Sequence, residues 1–193
     1  MKNIAVFASG GGTDMQSVID ACERGEINGK VSVVIANKNG IYALERADKH
    51  SIPYKVFTIK EYGDSESRDK AIAQFLSAFN IDLIVLAGYL SIITSPLLDI
   101  YEGRIINIHP SLIPAYCGMG MYGLKVHRAV IEGGEKESGC TVHYVDGGAD
   151  TGKIIEQVKV KVLEGDTAES LQERVLEQEH ILLPKVVAQL CRQ

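Results

Sequence analysis

The sequence predicts an α/β fold, a doubly wound and mostly parallel sheet with an antiparallel strand contribution in the C-terminal half. Three observations carry this. Short apolar runs alternate with segments of helical period along the first half of the chain. Those runs are nearly continuous in Val, Ile, Leu and Ala, as strands covered on both faces require. A glycine cluster, Ser9-Gly10-Gly11-Gly12, joins the first run to the first helical segment.

The 193 residues, 46% hydrophobic and 23% charged, suit one compact domain spanning 1–193 and exclude a disordered or fibrous chain. No apolar run approaches the ~20 residues needed to cross a bilayer, and Met1-Lys2-Asn3 leads directly into a strand-like segment, so a cytoplasmic protein with no membrane partner is expected. Cys22, Cys117, Cys140 and Cys191 are widely spaced and form no C-x-x-C pair; they read as reduced thiols, and no metal site is expected. The net charge of −5 comes from 25 acidic against 20 basic residues without a long basic run, which argues against a nucleic-acid partner. An acidic chain that binds a phosphate ester must use local backbone N–H groups or a helix end.

Taken in order, the run Asn3-Ile4-Ala5-Val6-Phe7-Ala8 reads as a buried strand. Thr13 can cap a helix in which Met15, Val18, Ile19 and Cys22 recur at helical spacing. The unit repeats as strand 31–36 and helix 42–50, strand 54–57 and helix 67–79, then strand 83–86 and a short helix near Pro96. The second half holds strand 105–109, an irregular Pro/Gly-rich stretch, helix 123–132, and β-branched runs at 140–145 and 154–162 that suit antiparallel strands. A final helix, 167–190, opens on Thr167 with Glu169 and Ser170 as a capping start.

Three segments could carry chemistry. Gly10, Gly11 and Gly12 precede a helix N-terminus, where bare backbone and the helix dipole favour a phosphate. A plain tight strand-to-helix turn reads equally well. The dinucleotide pattern is absent, since Met15 stands where a third glycine is wanted, and there is no Walker lysine. In Asn107-Ile108-His109-Pro110-Ser111, residues two apart on a strand share a face, so Asn107 and His109 project together and Ile108 packs opposite. An amide beside an imidazole suits holding an oxyanion and moving a proton in acyl transfer; the alternative is a hydrogen-bonded histidine at a strand end. The loop Asp146-Gly147-Gly148-Ala149-Asp150-Thr151-Gly152 carries two carboxylates, either as a simple turn or as a partner that raises and orients His109. His143 reads as structural, and His127, His180 and His50 lack metal-ligand spacing. Ser111 lacks a nucleophile elbow, and Cys117 reads as a small loop residue.

Together, Ser9-Gly10-Gly11-Gly12-Thr13, Leu86-Ala87-Gly88-Tyr89, Asn107-Ile108-His109-Pro110-Ser111-Leu112, His143-Tyr144-Val145 with Asp150-Thr151-Gly152, and Gln178-Glu179-His180 span essentially the whole chain. In this set the chain resembles the folate-dependent formyltransferases. Its short length selects within them the branch that formylates glycinamide ribonucleotide in purine synthesis.

The resemblance implies two small-molecule substrates, glycinamide ribonucleotide and 10-formyltetrahydrofolate as cosubstrate, in a monomer or homodimer. It divides the chain into a phosphate-binding half, 1–100, and a catalytic and folate-binding half, 101–193. Asn107, His109 and Asp150 would be catalytic. Gly11, Gly12, Thr13 and Asp14 would hold the ribose phosphate, Glu179 the ribose side, and Gly88 and Pro110 would add backbone contacts. Folate would lie against Leu90, Ser91, Ile92 and Ile93 and against Val145, Asp146, Gly147, Gly148, Ala149 and Asp150, with Asn107 and Arg68 also on its side. The chain departs from the family at Asp14, where Asn is usual, at Ser91, where Arg is frequent, and at Ala115, Cys117 and Lys153. An ionised Asp14 beside a phosphate would repel it unless the side chain turns away or pairs.

Overall fold

The computed structural model describes residues 1–192. Five parallel strands, β1 (Lys2–Ala8), β2 (Gly29–Ala36), β3 (Tyr54–Val56), β4 (Leu83–Leu86) and β5 (Ile105–His109), are followed by β6 (Glu137–Tyr144) and β7 (Ile154–Lys161). They form one sheet in the order β3-β2-β1-β4-β5-β6-β7, with β6 antiparallel to β5 and β7 antiparallel to β6. The doubly wound sheet with an antiparallel end is the expected one.

Alternation along the strands divides the core into two layers. Ile4, Val6 and Ala8 of β1 pack with Met15 and Val18 of α1 (Thr13–Glu23) and with Leu171, Val175, Leu182 and Val186 of α7 (Ala168–Leu190). Ala5 and Phe7 point the other way, onto Ile72 and Leu76 of α4 (Ser65–Leu76) and Leu97 of α5 (Ser95–Leu98). Burying both faces is why β1 reads as an unbroken apolar run. Because β1 lies between β2 and β4, the chain leaves it in opposite directions, and a crevice opens above the carboxyl ends of β1 and β4. The glycine turn, the segment after β4 and the end of β5 all meet there.

Element ends depart from expectation where local hydrogen bonds decide them. Thr13 is the first residue of α1, and the cap is Gly12, with φ 72° and no side-chain cap bond. A Cβ on Gly12 would stand 2.8 Å from Cβ of Ala43 in α2 (Tyr42–Lys49), so both the left-handed backbone and the close approach require glycine. α4 begins two residues earlier than the pattern indicates because the Asp64 carboxylate accepts from Ser67 N at 2.7 Å. Its last turn tightens into a 3-10 turn, Ser77–Phe79, which ends at a left-handed Asn80. A one-turn helix, α3 (Ile59–Tyr62), capped by Thr58, was too short to show a period. α6 (Leu124–Glu132) and α7 lie close to their expected spans, and Thr167 and Ser170 cap α7 reciprocally at 3.2 and 3.0 Å.

Candidate active site

A cleft of about 660 Å³ opens above the carboxyl ends of β1, β4 and β5. One wall is apolar: Leu86, Leu90, Ile92 and Ile93 from the end of β4 and the segment after it, and Val145 after β6. Leu90 is 54% exposed and Ile92 43%, so this wall faces solvent in the free protein and suits a flat apolar ligand. The segment is tied to the glycine turn, since Ser9 N donates to Gly88 O at 3.1 Å and Leu90 N to Ser9 Oγ at 2.9 Å. Ser91 Oγ accepts from Asn37 Nδ2 at 2.9 Å.

Asn107 and His109 project into the cleft from the last residues of β5, while Ile106 and Ile108 pack into the layer of α1 and α7. β6 pairs with β5 in a register that sets His143 opposite Asn107. His143 Nδ1 lies 2.8 Å from the Tyr144 carbonyl and must donate to it, which leaves Nε2 to accept from Asn107 Nδ2 at 3.1 Å. Asp150, with φ 58°, turns its carboxylate back onto this group. Its Oδ1 accepts from Asn107 Nδ2 at 3.4 Å, and its Oδ2 accepts from Gly118 N at 2.9 Å and faces His109 Nδ1 at 3.5 Å. His109 Nε2 donates to the Tyr116 carbonyl at 3.0 Å. The neutral His109 ring therefore presents a bare Nδ1 to Asp150.

The electrostatics follow from this packing. Burial lowers the His109 pKa below its ordinary value, outweighing the upward pull of the Tyr116 carbonyl and the Asp150 charge. Burial pushes the Asp150 carboxyl up, but the His143 and His109 rings beside it and the Gly118 N–H donating to it together hold it below the usual carboxylate range. At neutral pH the pair is a neutral imidazole and an ionised carboxylate, poised to receive one proton between them.

A family model described as formyl transferase matches residues 2–187. The chain belongs to this family. A phosphoribosylglycinamide formyltransferase of Haemophilus influenzae is 42% identical over 187 residues, which is 97% of this chain and 86% of that protein. A chloroplastic phosphoribosylglycinamide formyltransferase of Arabidopsis thaliana is 39% identical over the whole of this chain, which spans 66% of that longer protein. The crystal structure of glycinamide ribonucleotide transformylase 1 from Symbiobacterium toebii superposes with a TM-score of 0.94 at 41% identity, covering 100% of this chain and 88% of that one.

The cleft of this formyl transferase gathers most of the residues named from the sequence. Thr13, Asp14, Gly88, Leu90, Ser91, Ile92, Ile93, Asn107, His109, Pro110, Val145, Asp146, Gly148, Ala149, Asp150 and Glu179 all line it. Gly11 and Gly12 sit behind Thr13 without lining the cleft; the Gly11 carbonyl accepts from Arg46 Nε at 2.8 Å, and Gly12 packs on α2. Gly147 is in the 145–150 loop but off the lining. Arg68 is the correction. Its side chain is 1% exposed and does not reach the cleft. Nε donates to Asp69 Oδ1 at 2.8 Å and Nη2 to Ile92 O at 2.8 Å, while Asp69 Oδ2 accepts from Thr94 N and Thr94 Oγ1, each at 2.7 Å. A guanidinium beside its own helical neighbour's carboxylate stays in the core, and it braces the segment after β4 from behind.

His143 and His127, set aside in the sequence, also line the cleft, as do Gly118 and the loop that follows it. His143 could have been found only through the β5–β6 register, and the Gly118 and Tyr116 backbone contacts carry no sequence signal.

Asp14 is turned inward. Burial pushes its carboxyl up to about 7, and Glu179, raised by burial and then by the Asp14 charge, lies in the same wall. Asp14 Oδ1 is sealed without a hydrogen-bond partner, and His180 Nε2, 3.7 Å away, is likewise unpartnered. A fully ionised carboxylate facing the α1 N-terminus is thereby avoided. Because the folded value of about 7 exceeds the unfolded one near 3.8, the stability this group contributes is complete below about 3.8 and is lost as pH rises through about 7. Asp14→Asn should flatten the fall in Tm between about pH 5 and about pH 8, leaving the variant more stable than the parent at the upper end. Thermal melts of both proteins across that range check it, and parallel curves would contradict it.

Proposed function

We propose that this protein transfers the formyl group of 10-formyltetrahydrofolate to the primary amine of glycinamide ribonucleotide, yielding formylglycinamide ribonucleotide and tetrahydrofolate in purine synthesis. The observation that carries this reading is the convergence of Asn107, His109 and Asp150 in one cleft that has an apolar wall at one side and the N-terminus of α1 at the other. The pterin would rest on Leu90, Ile92 and Ile93 and against the 145–150 loop, with backbone groups of that loop reading its polar edge. The ribose phosphate would take the N–H groups at the start of α1, beside Thr13 and Asp14, and Glu179 would hold the ribose hydroxyls. Gly88 and Pro110 would contribute backbone contacts.

Chemistry follows from the two ends being held together. The amine attacks the formyl carbon, a C–N bond forms, and the carbonyl oxygen becomes an oxyanion. Asn107 Nδ2 gives up its long bond to Asp150 and donates to that oxygen. The new ammonium loses a proton to His109 Nδ1, where the Asp150 carboxylate stabilises the imidazolium. The proton then passes to N10 of the folate as the C–N10 bond breaks, so no external acid or redox partner is needed. Mass spectrometry of a reaction containing both substrates should find the acceptor heavier by one formyl group in place of one hydrogen. Free formate with an unmodified acceptor would make the protein a hydrolase instead.

A further inference from the structure

Three imidazoles line the cleft, those of His109, His127 and His143. His109 has Nε2 on the Tyr116 carbonyl and Nδ1 facing Asp150, and His143 has Nδ1 on the Tyr144 carbonyl and Nε2 on Asn107. His127 differs. It is 1% exposed, on α6, flanked by Val126 and Val130 that bury the helix, and its Nδ1 is sealed from water with no hydrogen-bond partner. A buried polar atom left unpaired is destabilising, a cost that an apolar residue at this position would not incur. The free protein thus carries an unused hydrogen-bonding ring at the wall of its reaction cleft.

We infer that His127 is a substrate-binding residue of the acceptor side, whose uncharged ring hydrogen-bonds the amide group of the glycinamide arm and so aims the primary amine at the formyl carbon. The inference rests on the function proposed above. Among the acceptor's groups, the phosphate dianion would seek a cation or a helix N-terminus, and the ribose hydroxyls face Glu179. The amide is the group that remains; it is neutral and offers one donor and one acceptor, the complement of a neutral imidazole. His127 is kept in that state, since burial and then the neighbouring His109 push its pKa down to about 4. A charged ring there would offer two donors and no acceptor, and would no longer complement the amide.

The test pairs enzyme variants with a changed acceptor. With saturating 10-formyltetrahydrofolate, His127→Leu should raise the KM for glycinamide ribonucleotide by roughly tenfold or more, the equivalent of one lost hydrogen bond. The KM for the folate should stay within about twofold, because the apolar wall is untouched. An acceptor analogue whose amide carbonyl is replaced by a methylene should lose a similar factor with the parent enzyme and little more with the variant. Full parental kinetics in His127→Leu, or losses that simply multiply, would overturn the inference. If His127→Leu does not fold, as judged by lost folate binding, His127→Phe, which fills the ring's space without a hydrogen-bonding nitrogen, is put through the same cycle with the same criteria. A parent enzyme that does not formylate glycinamide ribonucleotide at all would instead overturn the function itself.

Discussion

Asn107→Ala lowers kcat by about 10²–10³-fold, the cost of removing one oxyanion donor from a preorganised site. The side chain sits where β5 ends, braced by His143 Nε2 at 3.1 Å and Asp150 Oδ1 at 3.4 Å, so its amide is aimed before substrate arrives. His109→Ala should cost roughly 10²–10⁴-fold in kcat, as expected for loss of the group that moves the proton. Because the parent works with neutral His109 and ionised Asp150, its kcat/KM should fall as pH drops through the depressed His109 pKa, and His109→Ala should lose that limb. Steady-state rates over pH, beside melts showing that both variants fold, check these results. Parental turnover by either alanine variant would remove that residue from the mechanism.

Asp69→Ala should be the most damaging change to stability. It strands the Arg68 guanidinium, 1% exposed, in the core without its carboxylate, and breaking a buried ion pair from one side costs about 3–5 kcal/mol. For a chain of this size that is a fall in Tm of roughly 6–20 °C. The same carboxylate holds Thr94 N and Oγ1, and Arg68 holds the Ile92 carbonyl, so the wall formed by Ile92 and Ile93 loosens too. The KM for folate should rise while that for the acceptor is little changed. Calorimetric melts and the two KM values test this together; a variant as stable as its parent would mean that the pair carries no stabilising weight.

Much of the architecture was legible because strand, glycine turn and helix announce themselves locally. The period of two placed Asn107 and His109 on one face from their spacing alone, and Pro110 marked where the strand stops. What stayed hidden depends on contacts between distant segments. His143 is a cross-strand neighbour of Asn107, which no feature of β6 by itself discloses. Asp150 reaches His109 only because a loop with a left-handed residue folds back over the end of β5. The resemblance to the family assigns Arg68 to the folate side, whereas the adjacent Asp69 and the carbonyl of Ile92 draw its side chain into the core. Asp14 was a departure whose charge state no sequence could supply; burial beside Glu179 supplies it.

The most direct test of the account is the release of tetrahydrofolate from 10-formyltetrahydrofolate, followed by absorbance with and without glycinamide ribonucleotide. Turnover is expected only when the ribonucleotide is present, with one folate released per acceptor formylated. Release that proceeds equally well without the acceptor would contradict it.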